Sequence, residues 1–167
     1  MRGFAMQKIT PCLWFDRNAE EAMNFYVSIF NNSRIVSIKR YPDNVPDEHM
    51  QGMDGKVLTG IFELEGQRFM CLDGGPIFKF NEAISLVVDC ETQAELDEIW
   101  NKLSAVPEAE QCGWLKDKFG LSWQIVPRTL SELIDDPDKE KAGRALQAML
   151  KMKKLDIDAL RRAAEGS

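Results

Sequence analysis

Apolar and polar positions along the chain follow two alternating rhythms, and the same succession of rhythms occurs twice. Lys8 to Phe15 reads as a strand ending at Asp16. Ala22, Phe25, Tyr26 and Ile29 then recur at helical spacing. Later, the strand-like run Ile84-Ser85-Leu86-Val87-Val88 ends at Asp89 and leads to Leu96, Ile99, Trp100 and Leu103, again at helical spacing. The two aspartates are 73 positions apart, and strand-rich sequence follows each helix. A repeat of this size means one supersecondary unit used twice.

Cap chemistry sharpens the boundaries. Asn18 with Glu21, and Thr92 with Glu95, have the spacing of a capping box, in which an N-cap side chain and a carboxylate three residues on satisfy free helix amides. The first helix is expected to stop near Asn31-Asn32. Arg34 to Tyr41 alternates as a strand, and Pro42 to Gly55 reads as a polar loop holding the single histidine, His49. Lys56 to Leu64 and Gln67 to Leu72 flank Glu65-Gly66, a tight hairpin turn. In the second copy, Ile84 to Val88 is apolar enough to predict a central strand. Short strands follow around Gln111 to Lys116 and Leu121 to Val126, so each copy is predicted to be β-α-β-β-β.

Beyond Pro127 the rhythm is helical. Leu130 to Ile134 is predicted to form about a turn, Lys139 to Lys153 an amphipathic helix, and Asp156 to cap a last helix through Ala164. This tail is expected to pack on its own core or on a partner subunit. Membrane-surface binding ranks second because aromatic anchors are absent. The expected organisation is a first module over 8–73, a linker over 74–82, a second module over 83–127 and a helical extension over 128–167.

Composition then narrows the function classes. The 167 residues carry a formal net charge of −6, which disfavours binding to a phosphate backbone. No apolar run reaches the roughly 20 residues of a membrane span, and Met1 to Met6 is too short and weakly apolar for a signal peptide, reading instead as an irregular arm. Cys12, Cys71, Cys90 and Cys112 lack a CxxC spacing and read as free thiols in a reducing, cytoplasmic compartment.

Several ordered motifs carry a resemblance. Ile9-Thr10-Pro11-Cys12-Leu13-Trp14-Phe15-Asp16, Asn18-Ala19-Glu20-Glu21-Ala22 with Phe25-Tyr26, Gly74-Gly75-Pro76, Phe78-Lys79-Phe80-Asn81, and Cys112-Gly113-Trp114-Leu115-Lys116-Asp117 with Phe119-Gly120-Leu121-Ser122-Trp123-Gln124 together resemble the PhnB-like family. That family also carries the label 3-demethylubiquinone-9 3-methyltransferase and belongs to the vicinal oxygen chelate superfamily of glyoxalases, bleomycin-resistance proteins and extradiol dioxygenases. The likeness runs from about Lys8 to Pro127 and extends into the tail. It implies an α+β fold in which two βαβββ modules pair as a curved half-barrel around a cavity, commonly within a homodimer, with C-terminal helices added here.

The resemblance also implies positions for a divalent metal. The two usual His positions fall near Pro11 and Ala83, the Glu of the second module on Gln124, and its counterpart around Cys71 to Asp73. Pro and Ala supply no ligand, and an amide oxygen is a weak one, so neither metal nor other cofactor is expected. A divalent cation held by Asp73, Gln124 and a partner residue is the alternative. His49 reads as a solvated loop residue, since a metal site needs several convergent donors.

The cavity candidates are Gln124, Trp114, Asp73, Cys71, Phe78, Phe80 and Asn81. Gln124 offers a donor and an acceptor to a polar group, or is a buried amide satisfied by backbone. Trp14, Trp114 and Trp123 are core or ligand platform, with Trp114 the exception to expect because it follows Gly113 at a strand start. Phe78 and Phe80 line a cavity mouth or a dimer interface. Cys71 is a nucleophile or an inert buried thiol, and Asp117 reads as a turn residue. No Gly-rich turn follows the first strand, so the residues do not supply an S-adenosylmethionine site. The expected partners are a small, partly apolar molecule and a second copy, not nucleic acid or membrane.

Overall fold

The computed structural model describes residues 7–44 and 46–167, so the predicted N-terminal arm lies outside the described residues. The chain divides into two units, one ending at Lys79 and the other starting at Phe80.

The first unit contains β1 (Cys12–Phe15), α1 (Ala19–Ile29), β2 (Arg34–Arg40), β3 (Val57–Leu64) and β4 (Gln67–Asp73). Its sheet has the order β1-β4-β3-β2, with β1 parallel to β4 and the other pairs antiparallel. Period-two alternation places Leu13, Phe15, Phe62, Leu64, Phe69 and Cys71 on one face, and all of them are buried. α1 covers that face with Ala19, Ala22, Met23 and Tyr26. Tyr26, Phe62 and Phe69 stack in series at 6.4 and 5.4 Å between ring centres. Each such burial contributes about 1.5–3 kcal/mol. The hairpin turn falls where predicted, with Glu65 and Gly66 both at positive φ (48° and 79°).

β1 starts later than expected, at Cys12, because Pro11 has no N–H for a ladder. The side-chain amide of Gln7 pairs there with the backbone of Arg68, donating to its carbonyl at 3.0 Å and accepting its N–H at 3.1 Å. The expected Asn18 cap of α1 is corrected as well. Asn18 makes no side-chain cap bond; the N–H of Ala19 instead donates to Asp73 Oδ1 at 2.9 Å.

The second unit contains β5 (Ser85–Cys90), α2 (Gln93–Leu103), β6 (Trp114–Lys116) and β7 (Ser122–Pro127), followed by α3 (Arg128–Ile134), α4 (Lys139–Leu150) and α5 (Ile157–Glu165). The sheet order β5-β7-β6 repeats the parallel-then-antiparallel arrangement of β1-β4-β3. Among the described residues this unit has three strands rather than the predicted four. Between α2 and β6 lie only a 3-10 turn at Pro107–Ala109 and a bridge between Gln111 and Trp114. β5 is an edge strand of its sheet, as β1 is of the first, not a central one, and Ile84 and Val87 are 69% and 63% exposed. Apolar content revealed two apolar faces but not the number of strand neighbours. The Thr92 cap holds: its hydroxyl accepts from Glu95 N, and Glu95 reaches back to the N–H of Glu91.

The tail packs on the second unit itself. Leu155, Ile157, Leu160, Ala145 and Ala164 are buried, and the Arg144 guanidinium donates to the Ala164 carbonyl near the end of α5. Asp156 caps α5 through Ala159 N, as its position predicted. Among the described residues no helix is long and apolar enough to cross a membrane.

Candidate functional site

In the second unit one face of the sheet lies under α2 and the other is open. Strand alternation puts Trp123 and Ile125 on the covered face, at 2% and 0% exposure, and Gln124 between them on the open one. Gln124 is in register with Val87 on one side and Trp114 on the other, so the three side chains form a cross-strand row. Gln124 Nε2 donates to Ser85 Oγ at 2.9 Å, whereas no protein donor among the described residues reaches its carbonyl oxygen. The row therefore offers an acceptor between an indole and an aliphatic side chain. Gln124 and Trp114 had been singled out from sequence. Val87 and Ser85 had not, although the register of two adjacent strands identifies both.

Trp123 owes its place to Asp117. Asp117 is 1% exposed, accepts Phe119 N and Leu121 N through Oδ1, and accepts the indole N–H of Trp123 through Oδ2 at 2.9 Å. The predicted turn residue is thus also the anchor of a core tryptophan. An ion pair between Lys116 and Glu82 ties β6 to the stretch that precedes β5.

In the first unit the candidates separate. Cys71 and Asp73 lie on the covered face, two positions apart, and are 0% and 1% exposed. Asp73 spends both carboxylate oxygens on backbone, Oδ1 on Ala19 N and Oδ2 on Val57 N, each at 2.9 Å. Burial, aided by the neighbouring charge of Asp73, pushes the Cys71 thiol up to about 12, which keeps it protonated and non-nucleophilic at neutral pH. Burial likewise pushes Cys90 up to about 12. Their side chains do not reach the open face, where Trp14, Met70 and Leu72 alternate with them.

Trp14 is the residue that sequence reading left undecided. It is half-buried, its indole N–H donates to the Gly75 carbonyl at 3.0 Å, and a methyl group on Gly74 would overlap its ring. Gly75 takes φ 83°, so the two glycines of the Gly-Gly-Pro motif serve different needs, a close approach and a left-handed turn. Phe78 packs edge-to-face on Trp14 with ring centres 5.0 Å apart and remains 63% exposed. Phe80 is half-buried. Asn81 is exposed, and its side chain accepts the N–H of Ala83 in a local turn. A cleft of about 500 Å³ opens at the start of α1, lined by Arg17, Asn18, Glu21, Asp54, Lys56 and Asp73.

The positions that the resemblance implied for a divalent metal hold poor ligands: Pro11 and Ala83, which cannot ligate, a carboxylate already committed to two backbone amides, and a neutral amide. His49 is exposed in a 3-10 turn. Among the described residues no three His, Cys, Asp or Glu side chains converge on a common point.

The fold agrees with what the chain is similar to. Residues 7–126 match the family described as 3-demethylubiquinone-9 3-methyltransferase. The PhnB protein from Bacillus cereus is 44% identical, with a TM-score of 0.61, over 72% of this chain and 99% of its own. A protein of Pseudomonas aeruginosa shares the fold at 18% identity, with a TM-score of 0.56, over 72% of this chain and 97% of its own. The chain matches none of the curated proteins. It belongs to the PhnB-like family of the vicinal oxygen chelate superfamily.

Proposed function

We propose that the chain binds a small, partly apolar molecule on the open sheet face of the second unit, without a protein-held metal. Gln124 serves as the polar anchor, with Trp114 and Val87 as apolar walls. The observation that carries this reading is the Gln124 amide, whose nitrogen is committed to Ser85 while its oxygen has no protein donor among the described residues. Such a site has the usual economy of small-molecule recognition, a few polar groups set in apolar surface. The reading includes self-association as a homodimer, supported by the exposed Ile84 and Phe78. It also includes a reducing cytoplasmic setting, supported by four free cysteines.

Titration with 8-anilinonaphthalene-1-sulfonate, whose anilino N–H is the donor offered to the Gln124 carbonyl oxygen, tests it. Gln124→Leu is expected to weaken binding roughly tenfold, the equivalent of one hydrogen bond of about 1–1.5 kcal/mol. Trp114→Ala is expected to weaken it further. Unchanged affinity in both variants overturns the proposal. Stabilisation by Mn²⁺ or Ni²⁺ that Gln124→Leu abolishes would favour a metal-dependent lyase or dioxygenase instead. Calorimetric binding of S-adenosylmethionine would favour the methyltransferase named in the family description.

A further inference from the structure

The segment from Arg128 onward lies outside the family match at 7–126, and 72% of this chain suffices to cover 99% of the Bacillus cereus protein. The extension is therefore an addition to the shared pair of modules. Its closest ties to the rest of the second unit converge on the turn that begins β6.

Gln111 and Trp114 exchange both backbone hydrogen bonds, at 3.1 and 2.8 Å, across the two-residue loop Cys112-Gly113. Both loop residues have positive φ, 51° and 85°, which defines a type I′ turn. A type I′ turn uses none of its two central N–H groups internally, and here both donate to the extension. Cys112 N reaches the Met152 carbonyl and Gly113 N the Lys153 carbonyl, each at 2.8 Å. Gln111 Nε2 adds a bond to the Leu150 carbonyl at 3.2 Å.

Packing reinforces the contact. Leu155 is 0% exposed, and a Cβ placed on Gly113 would lie 3.0 Å from its Cδ1. Gln93 of α2 holds the same stretch from below, donating to the Leu155 carbonyl at 3.1 Å and accepting Ile157 N at 2.9 Å. The residue immediately after the turn is Trp114, the cross-strand neighbour of Gln124. β6 is only three residues long, so it has little ladder of its own to resist fraying.

We propose that the C-terminal extension is a positioning element for Trp114. By taking the amides of the turn, residues 150–157 fix the backbone from which the indole projects beside Gln124. Occupancy of the open face and docking of the extension are then thermodynamically linked, each favouring the other by the same factor. The ligand half of this claim rests on the reading given under Proposed function; the positional half does not.

The test uses the full chain with Leu155→Ala, and with Gln93→Leu as a second variant that loosens the extension from outside it. Three readouts are followed: amide exchange at Cys112 and Gly113, the ¹⁵N–¹H indole resonance of Trp114 assigned through Trp114→Phe, and affinity for 8-anilinonaphthalene-1-sulfonate. Exchange at the two amides is expected to accelerate at least tenfold. The Trp114 indole resonance is expected to shift while that of Trp123 stays, and dye affinity to fall several-fold. Accelerated exchange with an unmoved Trp114 resonance and unchanged dye affinity overturns the proposal and leaves the extension a plain structural support. If the dye is indifferent to Gln124→Leu and Trp114→Ala, the binding reading fails separately. The indole shift alone then decides the role of the extension, a shift supporting it and an unmoved resonance overturning it.

Discussion

The two units solve the same structural problem at different sequence distances. In the first, the opening of α1 is held by Asp73, 54 residues away, and the Trp14 indole by the Gly75 carbonyl, 61 residues away. In the second, α2 is capped by Thr92, three residues from the amide it accepts, and the Trp123 indole is held by Asp117, six residues away. A helix amide that needs a partner and an indole N–H that needs an acceptor are satisfied in both. The first unit does it through tertiary structure and the second through local sequence. The second adds long-range ties from the extension, which pairs with the Cys112-Gly113 turn.

The largest expected effect follows from this contrast. Asp73→Ala leaves Ala19 N and Val57 N without acceptors inside a buried region. At about 1–3 kcal/mol for each of the two unsatisfied donors, the loss is about 2–6 kcal/mol, enough to threaten folding. Urea unfolding of Asp73→Ala, with Asp73→Asn expected to fall between it and the natural chain, measures it. A loss below about 1 kcal/mol would show that the distant tie is dispensable and the contrast superficial.

Gly74→Ala comes next. The added methyl overlaps Trp14, so the indole must leave its seat and give up the Gly75 bond, at a cost of about 1–3 kcal/mol. Tryptophan emission should move with stability. The natural comparison is Gly120→Ala in the second unit, where no atom lies within 4 Å of the new methyl and only the positive φ of 86° opposes it. Gly120→Ala should therefore spare the emission spectrum.

Thr92→Ala tests the local solution and should cost about 1 kcal/mol, the typical value of a lost N-cap. This is also why Thr92 was readable from the chain whereas Asp73 was not. A capping box declares itself through residues three apart. The same pattern at Asn18 and Glu21 named a cap whose role Asp73, a strand residue 54 positions beyond Ala19, had taken over. The repeat, the helices, the hairpin at Glu65-Gly66 and the alternation that exposes Gln124 were likewise local signals. The missing fourth strand of the second unit and the edge position of β5 depend on pairing partners, which periodicity does not encode. Strand parity alone puts Cys71 and Asp73 on the same side as Phe69, two and four positions before them, which is the covered side. It had no means of finding the bond between Trp14 and Gly75.

The smallest expected effect concerns the bidentate ion pair between α1 and β2, Arg40 with Glu20 at 2.8 and 2.9 Å. Both partners are nearly half exposed, so the pair is weak and screened by salt. The hydrogen bond from Arg40 holds the Glu20 carboxyl below its ordinary value of 4.5. A carboxylate with a lowered native pKa contributes stability that is fully present above the ordinary value and lost as pH falls through the native one. The stability difference between the natural chain and Arg40→Gln should accordingly be small and constant from pH 7 to pH 5. It should shrink toward zero as the pH drops below 4.5 and Glu20 is protonated. Urea unfolding of both proteins at pH 7, 5 and 3 reads this directly, and 1 M salt at pH 7 should shrink the difference in the same way. A difference that persists undiminished at pH 3 would mean that Arg40 acts through its other bond, to the Gly55 carbonyl, and that α1 depends on the loop before β3 rather than on the charge of its own first turn.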